Sequence, residues 1–264
     1  MKVLTLGKQF SWLLKLALIS VVLVGCVVTE KGGPVTKPDK TKALEYTLQL
    51  ARTYIRDRNW ESAKRHLKNA LEMDSKNAEV YEALGMVFQN TGEIERAEEH
   101  YLKAIKLDGK LSRVRNNYGA YLYQQKRYQD ATKQLELVVA DTLYERRAFA
   151  YMNLARCYVQ LKQLDKAADA YKRSYLMNRR NVVIALELAE VYYELKNYTE
   201  SQRLYDAFRG QIKQQPARAL WLGIRLADQF NNSNAVSSYS LALKNLYPHS
   251  KEYLQYKRVY LNDR

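Results

Sequence analysis

Few residues in this chain have the types and spacing that enzyme chemistry requires. The sequence contains no His-Glu-x-x-His, no Gly-x-Ser-x-Gly and no phosphate-binding glycine-rich loop. His66 and His100 lie 34 residues apart with no second ligand pattern beside either, which is typical of packing residues. Cys157 has no second cysteine after residue 26, which favours a buried structural thiol over a nucleophile. We therefore predict no enzyme activity, metal, cofactor or small-molecule substrate.

The composition predicts a helical and strongly basic protein. Lys and Arg outnumber Asp and Glu by 43 to 28, which gives a formal net charge of +15. No proline occurs between Pro38 and Pro216, and the 264 residues include only 10 Gly, so the many turns of an all-β fold are excluded. This charge suits nucleic acid, an anionic membrane surface or an acidic protein face, and it also suits a solvated face that binds nothing.

The other cysteine, Cys26, ends a segment with the features of a signal peptide. Three lysines and no acidic residue accompany an apolar run at residues 16–24, which is shorter than the roughly 20 residues of a membrane span. The run ends in Leu23-Val24-Gly25-Cys26, which resembles the lipobox of bacterial lipoproteins. The resemblance implies that residues 1–25 are removed and that Cys26 is acylated. The alternative is a plain signal anchor with a chance cysteine.

The lipobox resemblance also predicts the compartment. Three acyl chains on Cys26 would hold the protein on a membrane permanently, because two chains already anchor stably. Val27 rather than Asp follows this cysteine, and by family analogy that favours the outer membrane, with the chain facing the periplasm. We therefore predict membrane contact through the acyl chains and no contact with nucleic acid. Residues 26–43 contain two Gly and two Pro, and they are predicted to form a flexible tether.

The rest of the chain repeats one motif with a period of 34 residues. Two columns of small residues recur in every repeat: Ala51, Gly85, Gly119, Ala155, Ala189 and Gly223 in the first, and Ala63, Ala97, Ala131, Ala167, Ser201 and Ala235 in the second. This is the period of the tetratricopeptide repeat, a helix–turn–helix unit whose helices approach closely only at small side chains. We predict an all-α, right-handed tetratricopeptide-repeat solenoid of six helical hairpins, with a capping helix at 250–264. The repeats are placed at 44–77, 78–111, 112–145, 148–181, 182–215 and 216–249.

The first helix of each repeat is expected to line the hollow of such a solenoid. Its side chains predict a wall of apolar and aromatic residues with few charges, which suits adaptable contact with a polypeptide. Repeat one has no preceding repeat to cover it, so its outward face either forms a docking groove for an amphipathic peptide or packs the first hairpin. The candidate partner-binding residues are Tyr46, Leu48, Leu50, Tyr54, Ile55, Asn116, Tyr123, Phe149, Met152 and Arg156.

Four segments outside the general repeat signature carry a more specific resemblance. They are residues 116–122, 141–147, 221–225 and 243–248. Together with the lipobox they resemble the PilF/PilW family, the lipoprotein pilotins of type IV pilus biogenesis, over essentially the whole chain. The resemblance implies an outer-membrane lipoprotein that binds type IV pilus secretin subunits and helps them to reach the outer membrane and assemble. Pilus assembly and twitching motility would depend on it.

Two other functions stay open at this point. A β-barrel assembly accessory lipoprotein would share the lipobox and the repeats, but it would lack the four family segments. A periplasmic enzyme, such as an accessory hydrolase acting on peptidoglycan, would need a paired-carboxylate or Ser/Cys–His constellation, and no such constellation was found in the sequence.

Overall fold

The structure, a computed structural model, describes residues 39–261. The chain divides into two compact units, residues 1–43 and residues 44–264, and the first of these is described only at 39–43. The predicted signal peptide, the lipidation site Cys26 and most of the predicted tether lie outside the described residues. Among the described helices, none has both the length and the apolar character needed to cross a membrane.

The described part of the chain is all-helical, which confirms the predicted fold class. Its thirteen helices are α1 (Lys40–Arg56), α2 (Trp60–Met73), α3 (Ala78–Thr91), α4 (Ile94–Leu107), α5 (Ser112–Gln124), α6 (Tyr128–Ala140), α7 (Arg147–Gln160), α8 (Leu164–Met177), α9 (Val182–Glu194), α10 (Tyr198–Arg209), α11 (Ala217–Gln229), α12 (Ser233–Leu246) and α13 (Lys251–Tyr260). The two helices of a repeat pack together, and the second packs on the first helix of the next repeat. The second unit is therefore a tetratricopeptide-repeat solenoid.

The first helix begins earlier than the sequence predicts. The sequence analysis places residues 40–43 in the tether, but they form the first turn of α1. The physical reason is Asp39, whose carboxylate accepts hydrogen bonds from the backbone N–H groups of Thr41 at 3.0 Å and Lys42 at 3.4 Å. This is an N-terminal cap, which satisfies donors that the helix itself cannot pair. The predicted tether is therefore wrong in its last four residues.

The columns of small residues mark the crossing points of paired helices. A Cβ atom at Gly119 would lie 2.8 Å from Cγ of Leu135 on the partner helix, and one at Gly85 would lie 2.9 Å from the ring of Tyr101. Residues in both columns are buried, except for half-buried Ala235. The close approach that the 34-residue period predicts is thus confirmed, and any larger side chain at these positions would push the helices apart.

The turn inside each repeat contains one left-handed backbone residue, at the fifteenth position in the first five repeats. These residues have φ between 55° and 82°, and they are Arg58, Gly92, Lys126, Lys162, Lys196 and Asn231. In repeat six the position moves one residue along the chain, and the Asn232 side chain then accepts a hydrogen bond from the Ala235 backbone N–H at 3.0 Å. The asparagine-rich turn of repeat six therefore still ends one helix and caps the next.

Tyrosine fills much of the core because its hydroxyl can find a partner at the edge of a thin layer. Tyr101 is buried and donates a hydrogen bond to Gln89 Oε1 at 2.7 Å, while Tyr121 donates to the backbone oxygen of Ile94 at 3.0 Å. Burial raises the pKa of Tyr101, so the hydroxyl stays protonated. A stack of helical hairpins two helices thick suits such amphipathic side chains better than it suits Phe.

The last helix, α13, covers the end of the array. It packs against α11 through Tyr260, whose ring meets the ring of Trp221 edge-on with centroids 6.3 Å apart. The Tyr260 hydroxyl also donates a hydrogen bond to Asp228 at 3.0 Å. A separate small core cluster around Leu220, Ile224 and Leu243 lies at this end of the chain, which is consistent with a capping element.

Candidate functional site

The first helices of the six repeats form one continuous surface. We call it the first-helix surface, and its helices are α1, α3, α5, α7, α9 and α11. Neighbouring first helices touch directly, as α3 does with α5 and α9 does with α11, or they are joined by ion pairs. A partner that lies along this surface can therefore contact several repeats at once.

Charged side chains cross this surface in its first half. Arg52 of α1 donates a hydrogen bond to Glu79 of α3 at 2.7 Å, and Arg113 of α5 contacts Glu79 at 2.8 Å and Glu82 at 2.9 Å. Asn117 completes the cluster by donating to Glu82 at 2.6 Å. Three consecutive repeats are thus connected through two carboxylates, of which that of Glu82 is almost fully buried.

The two carboxylates differ in their pKa shifts because they differ in burial. Burial is the largest influence on Glu82, and it raises the pKa of that carboxyl despite the opposing charges of Arg113 and Arg52. Burial also acts to raise the pKa of Glu79, but its hydrogen bonds and ion pairs with the two arginines outweigh it and lower the pKa. Ion pairs hold the cluster together, and most of its charged and polar atoms have a partner within it.

A second cluster repeats the arrangement in the other half of the surface. Arg156 of α7 makes two hydrogen bonds to Glu187 of α9, at 2.8 and 3.0 Å. Arg218 of α11 lies 3.7 Å from Glu187 and also pairs with Glu190, its Nε donating at 2.9 Å. The order Arg–Glu–Arg across three repeats is the same as in the first cluster.

These clusters correct the predicted character of the wall. The sequence analysis expects few charges there, whereas acidic and basic residues form a network across the first-helix surface. The sequence separation of the paired arginines and glutamates could have indicated these contacts. Arg113 and Glu82 are 31 residues apart, as are Glu187 and Arg156, and this is one helical turn less than the repeat period. Arg218 and Glu187 share that offset, whereas Arg52 and Glu79 are 27 residues apart, so a search at 34 residues alone overlooks these contacts.

A cavity lies beside the second cluster, and two tyrosines are among its lining residues. The cavity has a volume of about 420 Å³, and it is lined by Tyr123, Tyr171, Arg156, Glu187 and Arg218 among others. Nearby, the Arg225 guanidinium lies 4.3 Å from the ring centre of Tyr193 and 5.5 Å from that of Trp221. Aromatic rings with paired charges between them are suited to a polypeptide that has both apolar and polar groups.

The predicted partner-binding residues occupy two kinds of position. Leu48, Ile55, Asn116 and Met152 are buried, so their side chains serve packing in this structure. Tyr46 and Leu50 are exposed, whereas the candidates Tyr54, Tyr123, Phe149 and Arg156 are half-buried. The ring of Tyr54 stacks on that of His66 with centroids 5.3 Å apart. None of these residues is tested as a contact site, and their role stays a prediction.

The side chains considered for chemistry have packing partners. His66 stacks on Tyr54, and His100 lies 4.9 Å from Phe88, measured between ring centroids. Burial raises the pKa of the Cys157 thiol to about 12, which keeps it protonated and unreactive at neutral pH. Within residues 39–261, no group of three or more His, Cys, Asp and Glu side chains is placed to hold a metal ion.

Comparison with known proteins identifies the repeat and a relative of nearly full length. The tetratricopeptide repeat model matches residues 48–112, 85–145 and 121–181. The chain is 39% identical over 241 residues to the type IV pilus assembly protein PilF of Pseudomonas aeruginosa, an alignment that covers 91% of this chain and 95% of PilF. An uncharacterised protein of Haemophilus influenzae is 29% identical over 161 residues, which are 61% of this chain and 86% of that protein.

Solved structures agree with the sequence comparison. The structure of Pseudomonas aeruginosa PilF has a TM-score of 0.78 and 38% identity, and the match covers 83% of this chain and 98% of that one. The crystal structure of PilW, described as a widely conserved type IV pilus biogenesis factor, has a TM-score of 0.72 over 81% of this chain and 98% of its own. PilW is only 22% identical, so its likeness concerns the fold alone.

Proposed function

Because the chain belongs to the PilF family of tetratricopeptide-repeat proteins, we propose that it is a pilotin of the type IV pilus. In this role it binds secretin subunits and promotes their localisation and multimerisation in the outer membrane. Pilus assembly and twitching motility then depend on it. The observation that carries the proposal is the similarity to a type IV pilus assembly protein along nearly the whole of both chains.

In this proposal, one part of the chain anchors the protein to the membrane and another part binds the client. The anchor is Cys26, whose acyl chains would hold the protein in the inner leaflet of the outer membrane. The scaffold is the repeat array, an interaction module that binds a protein client and makes or breaks no bonds itself. The buried, protonated thiol of Cys157 and the packed histidines support this non-enzymatic role.

Two surfaces of the scaffold support a protein client. Tyr46 and Leu50 are exposed on the outward face of repeat one, beside half-buried Tyr54, and such a face suits the apolar side of an amphipathic helix. The first-helix surface offers a second region, where the arginines and glutamates are already paired. A client segment there would leave those charges paired, and its contacts would have to outweigh the cost of removing water from their exposed parts.

Deletion of the gene tests the proposal directly. In the deletion strain, immunoblotting should find few heat-resistant secretin multimers in the outer-membrane fraction, and expression of the wild-type protein should restore them. If multimers form and reach the outer membrane normally without this protein, the pilotin role is wrong. Capture of a β-barrel assembly component instead of a secretin by the purified protein would favour an accessory role in barrel assembly.

The variant Cys26→Ser separates tethering from binding. We expect this unacylated protein to retain its affinity for the secretin and to lose its effect on secretin localisation, because only the anchor is removed. A loss of affinity in the variant would contradict the proposed division between anchor and scaffold. Wild-type protein, purified in detergent with its acyl chains intact, is the matched control.

A further inference from the structure

A second cavity lies where α8, α9 and α10 meet, in repeats four and five. Its volume is about 540 Å³, and the buried side chain of Leu188 is part of its lining. The polar residues around it come from all three helices and the turns next to them. They are Lys172, Tyr175, Arg179, Tyr192, Asn197, Glu200 and Arg203.

The charges around this cavity are unbalanced. Lys172 and Arg179 have no ion pair or hydrogen bond among residues 39–261. Arg203 donates two hydrogen bonds, at 2.9 and 2.8 Å, to one oxygen of Glu200, the carboxylate in the lining. Among the lining residues, three bases therefore face one acid, and the carboxylate of Asp169, which also acts on Tyr192, lies outside the lining.

Neutral donors complete the lining. The Asn197 side-chain oxygen caps α10 by accepting from the Glu200 backbone N–H at 3.4 Å, which leaves its amide N–H groups free to donate elsewhere. Tyr175 and Tyr192 are half-buried at the cavity wall. Burial, followed by the charge of Glu200, raises the pKa of Tyr192, so its hydroxyl remains a donor. The cavity lining therefore offers several hydrogen-bond donors, and its one carboxylate, that of Glu200, is already paired with Arg203.

We propose that this cavity binds the phosphate group of a phosphate ester. Phosphate oxygens accept several hydrogen bonds at once, and the planar guanidinium of Arg179 and the ammonium of Lys172 are the groups that proteins use for them. The same chemistry is offered by the phosphodiester of an anionic lipid headgroup and by a free phosphate ester. The site is independent of secretin binding, and it adds a ligand that the pilotin role does not require.

The surroundings of the cavity favour a lipid headgroup as the source of the phosphate. Two apolar side chains, Leu176 and Met177, are exposed beside it, and Arg173 and Arg180 add positive charge next to them. Exposed apolar groups among basic residues suit the interface of an anionic membrane, which attracts basic side chains. Lys172 is at the twenty-fifth position of repeat four, and the corresponding residue of repeat one is Lys68, which has Glu72 four residues later where Lys172 has Leu176.

The test measures how fast Lys172 is acetylated by a water-soluble reagent in the full acylated chain, with mass spectrometry as the readout. The chain is placed in phosphatidylcholine nanodiscs, in nanodiscs that also contain phosphatidylglycerol, and in phosphatidylcholine nanodiscs with added glycerol 1-phosphate. A ligand at twice its dissociation constant should slow the acetylation of Lys172 about threefold. Lys68, which is exposed at the same repeat position, serves as the internal control and should react at an unchanged rate.

The different nanodisc samples distinguish a free phosphate ester from a lipid headgroup, and they can also show that the proposed site does not exist. Protection by glycerol 1-phosphate identifies a site for a free phosphate ester, and protection by phosphatidylglycerol alone identifies a headgroup site. The variant Arg179→Gln keeps Lys172 as the reporter and should lose the protection. The control variant Arg65→Gln, at an exposed position of α2, should retain it. No protection in either arm, or equal protection of Lys68 and Lys172, overturns the proposal. The purified chain is measured without a secretin, so failure here leaves the pilotin role untouched.

Discussion

Arg156 and Glu187 form a two-point ion pair that joins the first helices of repeats four and five. The Arg156 Nε atom donates to one carboxylate oxygen at 3.0 Å and its Nη2 atom donates to the other at 2.8 Å. Because the Glu187 side chain is 9% exposed and also faces Arg218, the pair is shielded from water on one side. Such a contact fixes the angle between neighbouring repeats as well as their distance.

Substitution of Glu187 by Gln should therefore destabilise the array. The amide removes the negative charge but keeps the volume, so two arginines lose their shared partner. We expect the free energy of unfolding to fall by about 2 kcal/mol. Urea unfolding followed by circular dichroism measures the change. The control is Glu194→Gln, whose carboxylate is 54% exposed and pairs with Arg225, and it should cost below about 1 kcal/mol. Equal losses in the two variants would contradict the role of burial.

Replacement of Gly119 by Ala should also destabilise the protein. The new Cβ atom would lie 2.8 Å from Leu135 Cγ, closer than real Cβ contacts allow, so α5 and α6 would have to separate. We expect a loss of about 1–3 kcal/mol in the same unfolding experiment. Gly210→Ala is the matched control, because its Cβ would meet only the Asp206 backbone oxygen at 3.5 Å and its φ is −66°. The Gly210→Ala variant should have the same free energy of unfolding as the wild type or a slightly higher one.

The sequence reveals the crossing point at Gly119 but not the ion pair between Arg156 and Glu187. Small residues such as Gly119 recur at the repeat period, so both the helical hairpin and its crossing point could be predicted. The contact between Arg156 and Glu187 could not be predicted at that period, because neighbouring repeats are displaced by about one helical turn and the contact falls at 31 residues. Likewise, the start of α1 depends on a single cap, Asp39, which no repeat column contains.

Lys162→Gly should stabilise the protein. Lys162 has φ of 61°, in the left-handed region, where a side chain costs about 1–2 kcal/mol and glycine is tolerated. Glycine loses more chain entropy on folding, so the expected net gain is about 0.5–1 kcal/mol. Thermal unfolding should show a higher midpoint. The same change at Lys68, which is exposed within α2, should instead cost about 1 kcal/mol, because the backbone there is helical. A stabilised Lys68→Gly variant would contradict the reasoning.

Asp141 should make part of the stability depend on pH. The Ser112 hydroxyl donates a hydrogen bond to its carboxylate at 2.5 Å, and this bond, followed by one from the Leu143 backbone N–H, lowers the pKa of Asp141. A lowered pKa in the folded state stabilises the protein above the unfolded pKa of about 3.9, and the contribution is lost as pH falls through the folded value. The difference in melting temperature between the wild type and Asp141→Asn should therefore shrink as the pH falls from 6 to 2.

The control for this pH dependence is Asp169→Asn. Asp169 is exposed on α8, and it has no ion pair or hydrogen bond among the residues that the structure describes. Its substitution removes no hydrogen bond, so at pH 6 it should lower the melting temperature by less than Asp141→Asn does. A pH-dependent difference as large as that of Asp141→Asn would mean that the hydrogen bond from Ser112 is not the cause.

The outward face of repeat one should contribute little to the stability of the fold. Tyr46 is 68% exposed and Leu50 is 41% exposed, so the double variant Tyr46→Ala, Leu50→Ala should change the free energy of unfolding by less than about 0.5 kcal/mol per site. If this face holds the apolar side of a secretin segment, the same variant should weaken secretin binding at least tenfold, since about 1.4 kcal/mol corresponds to that factor. Binding is measured by titrating the purified secretin with the labelled full chain. Leu137→Ala, at a 55% exposed position on α6, is the control for loss of surface apolar area. Weakened binding in the double variant alone locates the client on repeat one, whereas unchanged binding in both variants leaves the first-helix surface as the contact region.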